Sequence, residues 1–392
     1  MATLTENVEV KVKESRKGKG LYARKQINEG ETILEETPMV CCQFAWNELY
    51  KYTACENCLR SLEKAEAMAR RLTENPALDL PHLECCEVKV EDITYCPACQ
   101  VPYCSTECRD QAWAAYHRVL CLGSAREDPE HPVNRLMEAW RNIHFPPETA
   151  TIMLLLKMIA MVKQADDPVS VLEGFSRFVQ VTVNEEEHAV HKLLGPQFQD
   201  QVEMLRHMVT ETFYDEKVQQ WLTPEGFRSM FALMGTNQQG IGSSSISVWA
   251  RNCDDLDLSE SDKNDLDKVI DQLYDDLDRV AGTFLNCEGA GLYRLQSACN
   301  HSCAPNAEIQ FNKQNHTLSL VALSKIEPEQ EICISYLGEC DQERSRHSRQ
   351  KLLKENYLFT CECERCITQA DDPDVTSEEE DEEDDDDDDM EN

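Results

Sequence analysis

The stretch "CNHSCAPNAE", residues 299–308, holds two asparagines, a histidine, two cysteines and a proline, with little apolar periodicity. Such residues are typical of a turn-rich loop, but histidine and cysteine are also metal ligands and groups that active sites use. The stretch alone therefore leaves three interpretations open: an ordinary loop, a metal site or part of an active site. The rest of the chain has to distinguish them.

The length and the cysteine content indicate a folded protein in a reducing compartment. A chain of 392 residues can form two or three domains with a proper core. Its first residues, "MATLTENVEVKVKES", contain no apolar signal core, so we expect the 20 cysteines to be thiols or metal ligands in the nucleus and/or the cytoplasm. The longest apolar run, "IMLLLKMIAMV" (152–162), contains Lys157 and is too short to cross a bilayer. It predicts a buried helix and no membrane association.

The net charge is −36, and the last 22 residues carry −16 of it. Residues 371–392 contain 16 acidic groups and no basic one, which predicts a disordered, self-repelling tail. This tail either keeps the protein soluble or attracts lysine-rich partners such as histones or ribosomal proteins. Direct binding of nucleic acid is disfavoured by the sign of the charge.

The strand signals lie at the two ends of the chain. Valines at positions 8, 10 and 12 alternate with charged residues and predict a strand, which leads into the glycine-containing stretch "GKGLYA" (18–23). Near the other end, "AEIQF", "TLSLVAL" and "EICISYL" predict short strands. Residues 125–285 between them are predicted to be mostly helical, and an acidic helix over 254–285 should bury an apolar stripe. That stripe consists of Leu266, Ile270, Leu273 and Leu277. The fold class is therefore α+β.

Four closely spaced pairs of cysteine and histidine predict two tetrahedral zinc sites. A separation of two or three residues lets two side chains converge on one ion. The pairs are Cys55 and Cys58, Cys96 and Cys99, Cys104 and Cys108, and His117 and Cys121. The last pair is one helical turn apart on a helix predicted over 105–121, with Ser105 as its N-cap. Cys85 and Cys86, in the long insertion 59–95, remain alternatives to the first pair.

A second cluster, "CECERC", supplies only three ligands: Cys361, Cys363 and Cys366. A tetrahedral site needs a fourth ligand from elsewhere in the chain. Cys303 of the opening stretch is the natural candidate, although Cys299 or Cys340 would also satisfy the chemistry.

Four motifs in this order resemble the SET-domain lysine methyltransferases: "GKGLYA", "NHSCAPN", "EICISYLG" and "CECERC". The four cysteine and histidine pairs resemble a MYND zinc finger, and a MYND finger inserted in a SET domain is typical of the SET-and-MYND (SMYD) family. The resemblance runs from about residue 8 to 367. Three features make the chain resemble one branch of that family in particular. They are the widened finger, the acidic end and the lack of a helical-repeat lobe after Cys366.

The resemblance implies a small, strongly bent and pseudo-knotted SET sheet with an inserted MYND finger, a helical insert, a post-SET zinc region and the acidic tail. In such a sheet the loop 300–306 and the segment that ends at Tyr336 pass through each other. The expected divisions are the first part of the SET domain (1–54), the finger with its insertion (55–121), the helical insert (122–285), the SET core (286–340), the post-SET region (341–370) and the tail (371–392).

The resemblance also implies the chemistry, which is transfer of a methyl group from S-adenosylmethionine to a lysine side chain. Tyr336 would orient the amine, and Tyr357 would line the lysine channel, where an aromatic wall tolerates a methylated ammonium. Cys303 would complete the post-SET zinc site, giving about three zinc ions in all. The donor-binding residues would be Lys19, Gly20, Leu21, Asn237, Asn300, His301 and Phe359.

Two functions follow as hypotheses. In the first, a monomeric enzyme methylates lysine-rich basic proteins, such as histones or ribosomal proteins. In the second, the SET fold is an inert scaffold and the finger is an adaptor that recruits proline-rich partners. The tyrosines, Phe359 and the Asn300–His301 pair are all present together, which favours the enzyme.

Overall fold

The computed structural model describes residues 6–12, 18–143, 152–281 and 289–373. The predicted acidic tail lies outside the described residues from position 374 onward.

Short strands and mostly short helices alternate along the described ranges. The strands are β1 (Val8–Val12), β2 (Lys19–Ala23), β3 (Thr32–Glu36), β4 (Val40–Gln43), β5 (Thr94–Tyr95), β6 (Pro102–Tyr103), β7 (Val183–Asn184), β8 (Ala189–Val190), β9 (Gln238–Ile241), β10 (Gly289–Leu292), β11 (Asn300–His301), β12 (Ala307–Gln310), β13 (Leu318–Ala322) and β14 (Glu331–Ile334). The α-helices are α1 (Trp46–Leu49), α2 (Ala65–Leu72), α3 (Thr106–Ala112), α4 (Arg118–Leu120), α5 (Pro132–Ile143), α6 (Ile152–Gln164), α7 (Pro168–Ser176), α8 (Gln199–Phe213), α9 (Pro224–Asn237), α10 (Ser245–Asp254), α11 (Glu260–Ala281), α12 (Glu339–Glu343), α13 (Arg346–Tyr357) and α14 (Glu364–Thr368).

One sheet joins the two ends of the chain, in the order β1-β2-β14-β11. β14 pairs antiparallel with β2 and parallel with β11, where Asn300 lies opposite Cys333 and His301 opposite Ile334. Leu21, Ile332 and Ile334 are buried beneath this sheet. The strands predicted at both ends of the sequence are confirmed, and their pairing brings the opening stretch next to "GKGLYA".

Two further sheets, β4-β10-β9 and β12-β13-β3, contribute residues to the apolar core that contains Leu21 and Ile332. β9 and the β7–β8 hairpin lie within the range predicted to be mostly helical, and the sequence did not indicate them. The segment that forms β9 reads "QQGI" and lacks the apolar alternation of a strand. It is held by backbone pairing with the wholly buried strand β10.

The prediction of a buried helix over the longest apolar run is confirmed. α6 is buried on nearly all sides, and Lys157 within it is also buried. α6 packs against α7 and α9 in the larger, helical core. None of the described helices combines the length and the apolarity that a membrane span requires.

The acidic helix is α11, which begins at Glu260 rather than at residue 254. The hydroxyl of Ser259 accepts the backbone N–H of Asp262 at 3.2 Å, as an N-cap does, while residue 254 is the end of α10. The predicted stripe is correct, since Leu266, Leu273 and Leu277 are buried. They pack with residues of the finger insertion, including α2.

Candidate active site and zinc centres

Three groups of four side chains each place their ligand atoms within 4.8 Å of one another. The first and third pairs of the finger form one group, and the second and fourth pairs form another. The groups are Cys55, Cys58, Cys104 and Cys108; Cys96, Cys99, His117 and Cys121; and Cys303, Cys361, Cys363 and Cys366. The pairs thus alternate between the two groups along the chain.

The spacing of the sulfur atoms fits zinc. Four thiolates at about 2.3 Å from a tetrahedral zinc ion lie about 3.8 Å apart. The Sγ atoms of Cys58 and Cys104 are 3.6 Å apart, and those of Cys303 and Cys366 are 3.5 Å apart. In the group that contains the histidine, Nε2 of His117 lies 3.3 Å from Sγ of Cys99. Each group could therefore accept one ion with little rearrangement.

The alternative ligands weighed from the sequence lie outside these groups. Cys85 and Cys86 are buried with α10 and α11 in a separate apolar cluster. Cys299 is buried, but it belongs to the core beneath the sheets. Cys340 is exposed. In the described part of the chain, Cys55 and Cys58 therefore complete the finger, and Cys303 completes the last group.

The finger's last two ligands are arranged differently from the prediction. Ser105 caps α3 as expected, since its hydroxyl accepts the N–H of Cys108 at 3.3 Å. The helix then widens into a π turn over Trp113–His117, and α4 ends at Leu120. Cys121 is therefore in extended backbone just beyond the helix, not on it. The π turn is a backbone irregularity that the sequence did not reveal.

Three aromatic side chains predicted for the site lie together. The rings of Tyr336 and Tyr357 are 4.7 Å apart between centroids, and Phe359 is 6.2 Å from Tyr336 in an edge-on arrangement. The Tyr336 hydroxyl donates to the Cys299 carbonyl at 2.7 Å. Burial raises the pKa of Tyr336 well above its usual value and raises the pKa of Tyr357 to about 12. Both phenols therefore remain protonated at neutral pH.

His301 connects this aromatic group to the last ligand group. Its Nδ1 accepts the backbone N–H of Tyr336 at 3.0 Å, and its Nε2 lies 3.3 Å from Sγ of Cys303. Because Nδ1 is an acceptor, the proton of the neutral ring is on Nε2 and points at the sulfur. The sequence predicted His301 only as a donor-binding residue, and this role of the imidazole was missed.

The stretch around Gly20 is closely surrounded by side chains. The amide of Asn300 donates to the Lys19 carbonyl at 3.0 Å and to the carboxylate of Glu331 at 2.6 Å. A Cβ atom at position 20 would lie 2.8 Å from that carboxylate and 3.1 Å from the Asn300 amide nitrogen. A Cβ atom here would force the Glu331 carboxylate and the Asn300 amide to move, so glycine suits the close approach of β2 to Asn300. The backbone of Lys19 lies beside the opening stretch.

The sequence comparisons agree with this geometry. A family model described as the SET domain matches residues 18–337. The chain is 56% identical to protein-lysine N-trimethyltransferase SMYD5 of Homo sapiens, over 95% of this chain and 89% of that protein. It is 57% identical to the protein of the same name in Gallus gallus, over 93% and 87%. The chain belongs to the SMYD family. A more distant member, histone-lysine N-methyltransferase SMYD3 of Mus musculus, is 28% identical over 74% of this chain and 52% of its own length.

Two further residues predicted from the SMYD resemblance contact a segment that the sequence did not single out. The ammonium of Lys19 donates to the Arg177 carbonyl at 2.6 Å, and burial lowers the pKa of Lys19. The side chain of Asn237 donates to the Val179 carbonyl at 2.8 Å and accepts the Val179 N–H at 3.1 Å. Both side chains thus bind the backbone of residues 177–179, just before β7.

Proposed function

We propose that this chain is a protein-lysine N-methyltransferase that uses S-adenosylmethionine. The proposal rests on one arrangement of side chains. Tyr336, Tyr357 and Phe359 lie together beside His301. His301 and Asn300 belong to the sheet that also holds "GKGLYA". The names of the vertebrate relatives, which the chain matches over most of their length, support the same activity.

The methyl donor would lie between the two ends of the sheet. It supplies an electrophilic methyl group on a sulfonium ion, and the protein supplies orientation and a dry environment. Asn300, His301 and the backbone of Lys19, Gly20 and Leu21 would hold its amino-acid and ribose side. Phe359 would stack on the adenine. Asn237 would contribute through its backbone, because its side-chain amide is engaged with residue 179.

Tyr336 would align the lysine amine with the methyl group. Because its hydroxyl proton is directed at the Cys299 carbonyl, the lone pairs of its oxygen remain available to the amine and to weak C–H···O contacts. Tyr357 would form the second wall of the channel. The apolar channel and the adjacent sulfonium charge favour the neutral amine, so the reaction needs no strong protein base.

Zinc would stabilise both the finger and the active site. We propose one ion in each of the three ligand groups. The finger ions would be structural, since all four positions around each are filled by the protein. The ion held by Cys303 would anchor the segment that carries His301 to the residues that follow Phe359.

The SET sheet is proposed to be pseudo-knotted, as the family resemblance implies. The amide of Asn306 donates to the Glu331 carbonyl at 2.9 Å, and its oxygen accepts the N–H of Cys333 at 2.8 Å. These bonds fasten the loop after His301 along β14, next to the parallel pairing of β11. Such contacts support threading of one segment past the other.

The substrates are proposed to be lysine-rich basic proteins such as histones or ribosomal proteins, attracted by the acidic chain and its tail. The methyl transfer is proposed to proceed to the trimethyl product that the relatives' names specify. The finger would recruit proline-rich partners through exposed aromatic side chains such as Tyr95 and Trp113. A monomer acting in the nucleus and/or the cytoplasm fits these properties.

The decisive experiment combines the purified protein, isotopically labelled S-adenosylmethionine and a cell lysate depleted of the endogenous enzyme. Mass spectrometry then identifies labelled peptides, with Tyr336→Phe as the matched inactive variant. We expect label on lysine side chains with the wild-type protein only. Binding of partners without any labelled lysine would instead support the adaptor hypothesis.

A further inference from the structure

The segment 177–190 runs past several parts of the proposed active site. Its first residues bind the side chains of Lys19 and Asn237 through backbone groups of Arg177 and Val179. It then forms the β7–β8 hairpin, whose strands pair Val183 with Val190. The hairpin reaches the post-SET region, because the carboxylate of Glu187 pairs with the Lys354 ammonium at 2.8 Å.

Asn184, in β7, uses both ends of its side-chain amide. Its oxygen accepts the backbone N–H groups of Glu186 and Glu187 at 3.1 and 3.2 Å, which closes the tip of the hairpin. Its nitrogen donates to the carbonyl of Leu358 at 2.8 Å, far away in sequence. The amide oxygen therefore shapes the hairpin, and the amide nitrogen holds the post-SET chain.

Leu358 is an unusual anchor point. It follows the end of α13 with φ 60° and ψ 30°, the left-handed region that a leucine rarely adopts, and its side chain is buried. The reversal at this residue sets the direction in which the chain leaves Tyr357 and enters Phe359. A conformation of this kind persists only where the surroundings hold it. The Asn184 amide is one such restraint.

We infer that Asn184 is a positioning residue that fixes the Leu358 carbonyl and thereby sets the relative orientation of Tyr357 and Phe359. Asn184 does not touch the reacting atoms; it acts through the backbone between the channel tyrosine and the aromatic ring beside the donor. The inference rests on the proposed function for its catalytic consequence. The mechanical restraint itself can be measured without any turnover.

The test uses Asn184→Asp, which separates the two contacts. A carboxylate still accepts the two N–H groups at the hairpin tip, but it cannot donate to Leu358 and repels that carbonyl. His188→Asp is the matched control, because it adds the same charge at an exposed position of the same hairpin. The readouts are amide hydrogen exchange of peptides covering 357–360 and 183–190, affinity for S-adenosylhomocysteine, and kcat and KM for a lysine substrate.

We expect Asn184→Asp to speed amide exchange at 357–360 and to leave exchange at 183–190 unchanged. The variant should also weaken S-adenosylhomocysteine binding and lower kcat by about tenfold, because the lost hydrogen bond is compounded by repulsion. His188→Asp should match the wild type in all readouts. Unchanged exchange at 357–360 and unchanged affinity would overturn the inference. Faster exchange at 183–190 would also overturn it, because it would mean that Asn184 only supports the hairpin. If the wild type methylates no lysine, the proposed function fails, yet the exchange measurement still decides the role of Asn184.

Discussion

The backbone N–H of Tyr336 donates a hydrogen bond to the imidazole of His301, with 3.0 Å between the nitrogen atoms. The other ring nitrogen faces Cys303, a member of the last zinc group. The proposed catalytic tyrosine and the proposed metal site are therefore separated by a single side chain.

Replacement of His301 should uncouple the metal centre from catalysis. In His301→Ala, the four cysteines of the last group remain, so we expect the zinc content to be unchanged. Methyl transfer should fall by at least about tenfold, because the Tyr336 backbone loses its acceptor and the segment becomes less ordered. Elemental analysis and transfer of labelled methyl check this, with His188→Ala as an exposed control. Wild-type transfer by His301→Ala would contradict the proposed link.

Removal of the Tyr336 hydroxyl should affect chemistry rather than donor binding. Tyr336→Phe keeps the ring that packs on Tyr357 but loses the oxygen proposed to align the amine. We expect transfer to fall by about 100-fold or more, as for a displaced catalytic group, with the affinity for S-adenosylhomocysteine within about twofold of the wild type. Single-turnover assays and calorimetry measure the two quantities. Tyr95→Phe, at an exposed finger residue, should behave as the wild type.

The rate should rise with pH across the alkaline range. Only the neutral form of the acceptor lysine reacts, and its ordinary pKa is about 10.4. Burial raises the pKa of Tyr336 and brings that of Tyr357 to about 12, so neither phenol loses its proton as the lysine does. We therefore expect kcat/KM for the protein substrate to increase from pH 7 to about pH 9. A decline over that interval, with the enzyme still folded, would mean that a required acid ionises there.

The zinc content should be three ions for each chain, with one ion in each ligand group. Cys58→Ser should reduce the total by one, since it removes one of the four ligands of a finger site. Cys85→Ala is the matched control, because Cys85 is buried outside the three groups and should leave the count at three. Elemental analysis of the purified proteins checks both. A normal zinc count in Cys58→Ser, or a reduced one in Cys85→Ala, would refute the assignment.

Lys157 should anchor the finger to the helical core. Its ammonium is fully buried and lies 2.7 Å from the Glu56 carboxylate and 4.5 Å from the centre of the Tyr116 ring. Burial lowers its pKa, but the combined attraction of its neighbours, led by Glu56, outweighs this and the net pKa is raised, so the group is charged. Lys157→Met should lower the free energy of unfolding by about 3 kcal/mol, because it leaves the carboxylate without its partner.

Two further variants test whether the loss of stability in Lys157→Met comes from breaking the buried ion pair. Adding Glu56→Gln to Lys157→Met should recover part of the loss, since no unpaired charge remains. Lys268→Met, which breaks an exposed contact to Asp265, should cost less than about 1 kcal/mol. Urea unfolding measures all three. Equal costs for Lys157→Met and Lys268→Met would show that the buried pair contributes no more than an exposed one.

The sequence was most informative where chemistry requires a fixed local spacing. The four finger pairs and the three cysteines after Thr360 were recognisable because two ligands on one turn are separated by only one to three residues. Which pairs share an ion was not recognisable, since the alternation depends on the folded path of the chain. The strands at the two ends were likewise predictable from their apolar alternation, but β9 was not.

The contacts that the sequence did not predict are mainly those made by backbone groups. The Cys299 carbonyl accepts the Tyr336 hydroxyl, although the sequence suggested Cys299 only as an alternative metal ligand. Asn237 and Lys19 were named from the family resemblance, but their partners are carbonyls of residues whose side chains carry no signal. Any residue has a carbonyl, and only the three-dimensional path of the chain determines which one becomes an acceptor.

The pairing of β2 with β14 has a consequence for how the protein is made. β2 ends at Ala23 and its partner strand β14 begins at Glu331, so β2 leaves the ribosome long before β14 does. During that interval one edge of the β1–β2 ribbon has no strand beside it, and unpaired edges promote aggregation. The last zinc ligands, Cys361 to Cys366, emerge later still. The nascent protein must therefore protect the β1–β2 ribbon until β14 emerges, and the site is complete only after Cys366 has also been released.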